Sequence, residues 1–198
     1  MTRKTLLSLG ICLTLILILS FSLEANPRDQ ITLNGKPLTL IGKRLQVGEI
    51  LPKINLPDTF LKMVNLNAFI GKVTILSVVP SIDTPTCEKQ THILSEENNG
   101  LDKTVNLITI SRDLPFAQKR FAKEANIENI QFLSDYRSGE FGTRTGLLIE
   151  ENRLLARAII VLDQTGTIRY LEIVKELGHL PDMGKAFIAA SSLSMSYH

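Results

Sequence analysis

The residues best equipped for chemistry fall in one short stretch, Pro80-Ser81-Ile82-Asp83-Thr84-Pro85-Thr86-Cys87. It follows an apolar, β-branched run over residues 73–79 and precedes a polar segment, 88–98, with helical potential. The spacing predicts a strand, a proline-punctuated loop and a helix start. Thr84 stands where a helix cap is favoured, and Pro85 where proline is preferred as the first helical residue. Cys87 then becomes the third helical residue, the place a carboxylate takes in a Thr-x-x-Glu capping box. Free amides and the helix dipole favour an anion there, so the arrangement predicts a sulfur held as a nucleophilic thiolate. On spacing alone a lone cysteine is more commonly a small buried apolar residue, and both readings stand at this point.

Composition removes several other chemistries. The chain has 198 residues, enough for one domain with a sizeable core. Lys and Arg number 22 against 20 Asp and Glu, with no basic run, which argues against a nucleic-acid partner. There are 2 cysteines, Cys12 and Cys87, and no Cys-x-x-Cys pair, so a dithiol exchange site is disfavoured. His92, His179 and His198 are scattered without metal-ligand spacing. No phosphate loop or Gly-x-Gly-x-x-Gly is present, so no cofactor is expected.

Cys12 lies in a leader. Arg3 and Lys4 precede an apolar stretch over residues 6–23, the pattern of a secretory signal. The stretch also approaches the length of a membrane anchor, about 18 residues. Residues 1–25 are therefore read as a signal peptide or an N-terminal membrane anchor, and 26–198 as the functional domain. Either reading places the domain outside the cytoplasm, in a periplasm, with membrane association only through an uncleaved leader.

The domain's elements must position Cys87. Alternation on both sides of Asn34-Gly35 predicts a β-hairpin over 31–40. A short strand is expected over 52–56 and a helical turn over 64–71, closed by Gly71. The run 73–79 lacks alternation and fits a central strand covered on both faces. Strands follow at 104–110 and 131–134. An amphipathic helix is expected over 114–125 and a short one between Gly139 and Gly146. Residues 156–162 and 167–174 form a second hairpin, and 181–193 a closing helix. This order is α/β, a central mixed sheet flanked by helices with an N-terminal β-hairpin.

The segment Pro80 to Cys87 resembles the active-site segment of the peroxiredoxins, specifically the thiol peroxidase subfamily. Asp113-Leu114-Pro115-Phe116-Ala117, Leu133-Ser134-Asp135 and Leu154-Leu155-Ala156-Arg157-Ala158 follow in that family's order and spacing. The likeness covers roughly residues 34–190 and implies a thioredoxin-like fold. It implies that Cys87 attacks hydrogen peroxide or an organic hydroperoxide and becomes a sulfenic acid. It implies that Thr84 orients thiolate and peroxide, that Arg157 supplies fixed positive charge, and that Pro80 shields the sulfur at the substrate site. Read from the residues alone, Thr84 is also a cap, Pro80 a turn residue, and Arg157 a strand residue open to solvent. Arg112 and Arg144 are other cations, in neighbourhoods that do not match the family's arginine.

One position departs from the family. Its resolving cysteine follows Arg-Phe on the helix that begins Leu-Pro-Phe-Ala, and here Ala122 occupies that place. An internal disulfide cycle is thereby lost. A single-cysteine cycle is expected, with an external reductant, a small thiol or a thioredoxin-like protein. Cys12 is a remote candidate for resolution. The family also implies a homodimer. The alternative is a peroxide-sensing domain that forms mixed disulfides through Cys87 without efficient turnover.

Overall fold

A computed structural model describes residues 30–195 of the chain. The leader with Cys12, and His198, lie outside the described residues. Asn34 and Gly35 take positive φ angles and turn the chain between β1 (Ile31–Leu33) and β2 (Lys36–Leu38), which pair antiparallel. The hairpin is shorter than its alternation promised, because the next strand, β3 (Leu40–Ile41), leaves to pair with a later one.

The run expected as one helical turn over 64–71 divides in two. Its start belongs to β5 (Met63–Asn65), paired antiparallel with β4 (Asn55–Pro57). A 3-10 turn over Leu66–Phe69 follows, where the Asn65 side chain accepts the Asn67 N–H. A polar strand edge capped by asparagine carries little periodicity, so pattern alone merges the two.

β6 (Thr74–Val78) is buried at every position. After it come α1 (Pro85–Glu96), β7 (Asn106–Ser111), α2 (Pro115–Glu124), β8 (Gln131–Ser134), α3 (Glu140–Thr145) and the two-residue β9 (Leu148–Ile149) that receives β3. β10 (Ala158–Leu162), β11 (Ile168–Ile173) and α4 (Met183–Met195) complete the order. The central sheet runs β11-β10-β6-β7-β8. β6, β7 and β8 are parallel, and β10 joins β6 and β11 antiparallel, so the sheet is mixed.

Side chains alternate across this sheet and build two cores. Leu76, Val78, Ile108, Ile110, Ile160 and Phe141 of α3 share one. Ile75, Val79, Leu107, Ile159 and Phe132 face the other, which Cys87 and Leu94 of α1 and Ala186 and Phe187 of α4 enter. The fold is thus the expected central mixed sheet with helices on both faces and a hairpin at its start. Most strand and helix ends shift by one or two residues. β4 begins at Asn55, three residues past its expected start, and at residues 104–105 a 3-10 turn over Leu101–Lys103 ends before β7 begins.

Candidate active site

β6 ends buried at Val78, and Val79 still donates its N–H to Ile110 O at 3.0 Å. The chain then leaves the sheet through Pro80, which is buried, and a loop that reaches α1. Asp113 fixes the loop: its carboxylate accepts the Ser81 hydroxyl at 2.6 Å and the Ile82 N–H at 2.8 Å. A loop with few backbone partners needs such an acceptor to hold one shape.

Thr84 occupies the N-cap with an extended backbone, and Pro85 opens the helix, as the spacing predicts. The expected side-chain cap is absent. The Thr84 hydroxyl donates backwards to Ser81 O at 3.1 Å instead, so the first-turn amides have no side-chain acceptor. The loop held by Asp113 brings that carbonyl within reach, and a hydroxyl has one proton to give. Thr84 is exposed and keeps its oxygen lone pairs free to accept.

Cys87 is fully buried, at 0% exposure. It is the free cysteine of the described residues. Arg157 was read from its apolar neighbours as a possible solvent-facing residue; it is 2% exposed and turned inward. It lies one residue before β10, and its carbonyl still takes the Val174 N–H at 2.9 Å. Its guanidinium makes three bonds. Nε donates to Leu177 O at 2.9 Å, Nη1 to Gln90 Oε1 at 2.9 Å, and Nη2 to Cys87 Sγ at 3.4 Å.

No carboxylate lies within ion-pair distance of Arg157 among the described residues; the ion pairs there join other side chains. A buried guanidinium facing only neutral acceptors and one sulfur is costly unless that sulfur carries the balancing negative charge. The arrangement therefore places fixed positive charge against the sulfur, where it stabilises negative charge that develops there. It also aims planar donors at the space where a leaving oxygen would gain charge, which is where such donors matter most.

Gln90 follows Cys87 by three residues and so lies on the same face of α1. Arginine only donates, which fixes the amide: Oε1 faces Arg157, and Nε2 donates to Ser77 Oγ at 2.8 Å and Ala158 O at 3.4 Å. Gln90 thus ties α1, β6 and the arginine together. Gln90, Asp113 and the Leu177 carbonyl were missed in the sequence. The i, i+3 relation of Gln90 to Cys87 was a usable signal, and Asp113 already stood in the run Asp-Leu-Pro-Phe. A backbone carbonyl twenty residues from the arginine leaves no sequence signal.

The structure therefore brings Cys87 and Arg157 together. Thr84 and Pro80 border the site without a hydrogen bond to the sulfur. Arg112 donates to Tyr136 O at 3.3 Å beside Asp135, and Arg144 to Lys53 O; both serve other loops. Burial holds the Asp135 carboxyl above its ordinary value, against the N–H groups of Gly142 and Phe141. The roomier cavities, about 510 Å³ beside Lys72 and Lys103 and about 330 Å³ beside Arg44 and Lys175, are lined by other residues than the site's. The described residues hold no group of three or more His, Cys, Asp or Glu placed to bind a metal.

Residues 46–187 match the Redoxin family. A thiol peroxidase of Streptococcus pneumoniae is 46% identical over 163 residues, 82% of this chain and 99% of that protein. The thiol peroxidase of Bacillus subtilis is 43% identical over 164 residues, 83% of this chain and 98% of its own. The crystal structure of a peroxiredoxin-like protein from Aquifex aeolicus superposes with a TM-score of 0.78 at 33% identity. That match covers 83% of this chain and 96% of the other.

Proposed function

The chain belongs to the Redoxin family, to the peroxiredoxin-type thiol peroxidases within it, and we propose that it reduces peroxides through Cys87 alone. The observation that carries this reading is the buried Arg157 guanidinium, with no carboxylate partner among the described residues, donating to the Cys87 sulfur. In the proposed step the thiolate attacks one peroxide oxygen. An S–O bond forms, the O–O bond breaks, and the departing oxygen takes a proton to leave as water or alcohol. Arg157 stabilises charge on sulfur and on that departing oxygen. The Thr84 hydroxyl, its proton engaged with Ser81, accepts from the peroxide O–H and orients it. Pro80, buried at the end of the β6 run, is the residue proposed to shield the sulfur.

Two external thiols complete the cycle. The first attacks the sulfenic sulfur, releasing water and leaving a mixed disulfide. The second displaces Cys87 and departs as the oxidised reductant. Ala122, packed against the same core as Cys87, is what supports external resolution. A small thiol or a thioredoxin-like protein fits this role.

Arg3 and Lys4 before the apolar stretch over 6–23 support an extracytoplasmic, periplasmic location, by cleavage or by anchoring. No helix of the described residues is long and apolar enough to cross a membrane. Exposed Phe60, Leu114 and Phe116, with Lys119 Nζ 4.2 Å over the Phe60 ring, support a homodimer. The missing resolver also supports the second reading, a sensor that stops at a mixed disulfide.

The test is stopped-flow oxidation of reduced protein by hydrogen peroxide and by cumene hydroperoxide, followed by turnover with a thiol donor. Rapid stoichiometric oxidation is expected, lost in Cys87→Ser and slowed about a hundredfold in Arg157→Ala. Rates equal to those of a free thiol, indifferent to Arg157, would overturn the site assignment. Fast oxidation without turnover on any thiol donor would select the sensor.

A further inference from the structure

Arg157 donates two of its three hydrogen bonds to neutral acceptors, and one of these, Leu177 O, belongs to a segment with no chemistry of its own. Residues 175–179 leave β11 and run beside the N-terminal hairpin. Thr32 donates its N–H to Lys175 O at 2.6 Å, and Leu177 donates its own to Thr32 O at 2.9 Å. The strap therefore lies along β1 as a parallel strand would. Leu177 is the contact point of two systems: its N–H is spent on the hairpin, its carbonyl on the guanidinium, and its side chain is buried in the core. The next residue contributes again, since Gly178 O accepts the hydroxyl of Thr86, in the first turn of α1, at 3.3 Å.

Glu176 locks the strap to the hairpin. Its carboxylate accepts the Thr32 hydroxyl at 2.7 Å, the Asn34 N–H at 2.9 Å and the Gly35 N–H at 3.2 Å. The two amides belong to the hairpin turn, where positive φ angles point them at one acceptor. One carboxylate thus fixes both the turn and the peptide that precedes Leu177.

We propose that Glu176 is a positioning residue for the peroxide-reducing site, acting through Leu177 on Arg157. A guanidinium is planar, so two fixed acceptors, Leu177 O and Gln90 Oε1, set the direction of the third nitrogen toward Cys87. Releasing the strap removes one of the two, and a donor displaced by a fraction of an ångström stabilises a transition state less. The N-terminal hairpin is then a working part of the site, although no hairpin side chain touches the sulfur through a hydrogen bond. This rests on the reading of Arg157 as the group that serves Cys87.

The experiment is single-turnover oxidation of the full-length chain by hydrogen peroxide, together with the ultraviolet thiolate absorbance of the reduced protein. It compares Glu176→Ala, Arg157→Ala and the double variant. Glu176→Ala is expected to slow oxidation about tenfold and to lower the thiolate absorbance. The same change on an Arg157→Ala background is expected to do nothing further, because the route through the arginine is already cut. Thr32→Val, which keeps the backbone pairing, is expected to slow the reaction by about threefold, and serves if Glu176→Ala does not fold. Glu151→Gln is the control: that carboxylate holds the Thr39 N–H beyond the hairpin's other strand, shares no hydrogen bond with the strap or the guanidinium among the described residues, and should leave the rate unchanged. Wild-type rates in both Glu176→Ala and Thr32→Val, or equal slowing by Glu176→Ala with and without Arg157, would overturn the proposal while leaving the site intact. A wild-type rate in Arg157→Ala would overturn the site reading itself, and this proposal with it.

Discussion

Gln90 shows how a neutral side chain can govern a charged one. Its amide is 0% exposed and satisfied at both ends, by Arg157 on one side and by Ser77 and Ala158 on the other. Gln90→Leu keeps the volume roughly constant but leaves Nη1 of a buried arginine without an acceptor. An orphaned buried charged donor costs about 3 kcal/mol, so a chemical denaturation midpoint should fall accordingly. The peroxide step should slow as well, by about tenfold, because one of the two fixed acceptors of the guanidinium is gone. Loss of stability with an unchanged rate would show that Leu177 alone aims the arginine. At this scale helix-start grammar placed Cys87 and the Thr84 cap but left a buried apolar sulfur as the commoner reading, and the catalytic roles of Cys87, Arg157, Thr84 and Pro80 were singled out only by resemblance. Gln90 was not, because a glutamine one turn along a polar helix looks like any solvated residue until burial is known.

Elements were legible where one rule governed them. The buried run before the active-site loop, the Asn-Gly turn and the glycine-bounded α3 all fell close to their predicted places. β3, β5 and β9 did not, because strands of two or three residues are made by their partners rather than by period. The strap after β11 is of the same kind, and its acid–base behaviour can be read directly. The Thr32 hydroxyl, then the Asn34 and Gly35 N–H groups, hold the Glu176 carboxyl down to about 2 from its ordinary 4.5. A depressed folded value means that the ionised carboxylate favours the docked hairpin. The contribution is complete above about pH 4.5, shrinks as the pH falls below that value, and is lost on passing through about 2. Amide hydrogen exchange should therefore show Asn34 and Gly35 protected at pH 5 and progressively opened toward pH 2, ahead of the β6 and β10 amides. In Glu176→Gln that pH dependence should vanish and the two amides should exchange fast throughout. Protection that persists unchanged down to pH 2 would show that backbone pairing alone holds the turn.

For the whole molecule the question is how a sulfur with 0% exposure is returned to its thiol. A peroxide needs only a small opening of the site to reach such an atom, but a protein or glutathione-sized thiol cannot reach it unless the first turn of α1 lets go of Thr86–Gly178 and Thr84–Ser81. Until it does, the sulfenic acid stays open to further oxidation by excess peroxide, toward sulfinic acid. In the sequence the resemblance implies that Ala122 stands where the family carries a second thiol, which leaves Cys12 of the leader as the chain's other cysteine. The fold adds that the Ala122 methyl packs against the same core that Cys87 enters, with α1 and α2 on one face of the sheet. Ala122→Cys should therefore restore an internal route. One equivalent of peroxide should produce an intramolecular disulfide with Cys87, seen by mass spectrometry as the loss of both free thiols without a retained oxygen. Forming that bond requires the two residues to come within disulfide reach, and any shift of α1 or α2 that this takes should appear as a difference in near-ultraviolet dichroism between the oxidised and reduced variant. Under excess peroxide the wild type should accumulate sulfinic Cys87, while the variant should be largely spared because resolution is unimolecular. A variant that still takes up two oxygens at Cys87 as fast as the wild type would show that the helices cannot make that approach. The single-cysteine character would then belong to the scaffold and not to one substituted residue.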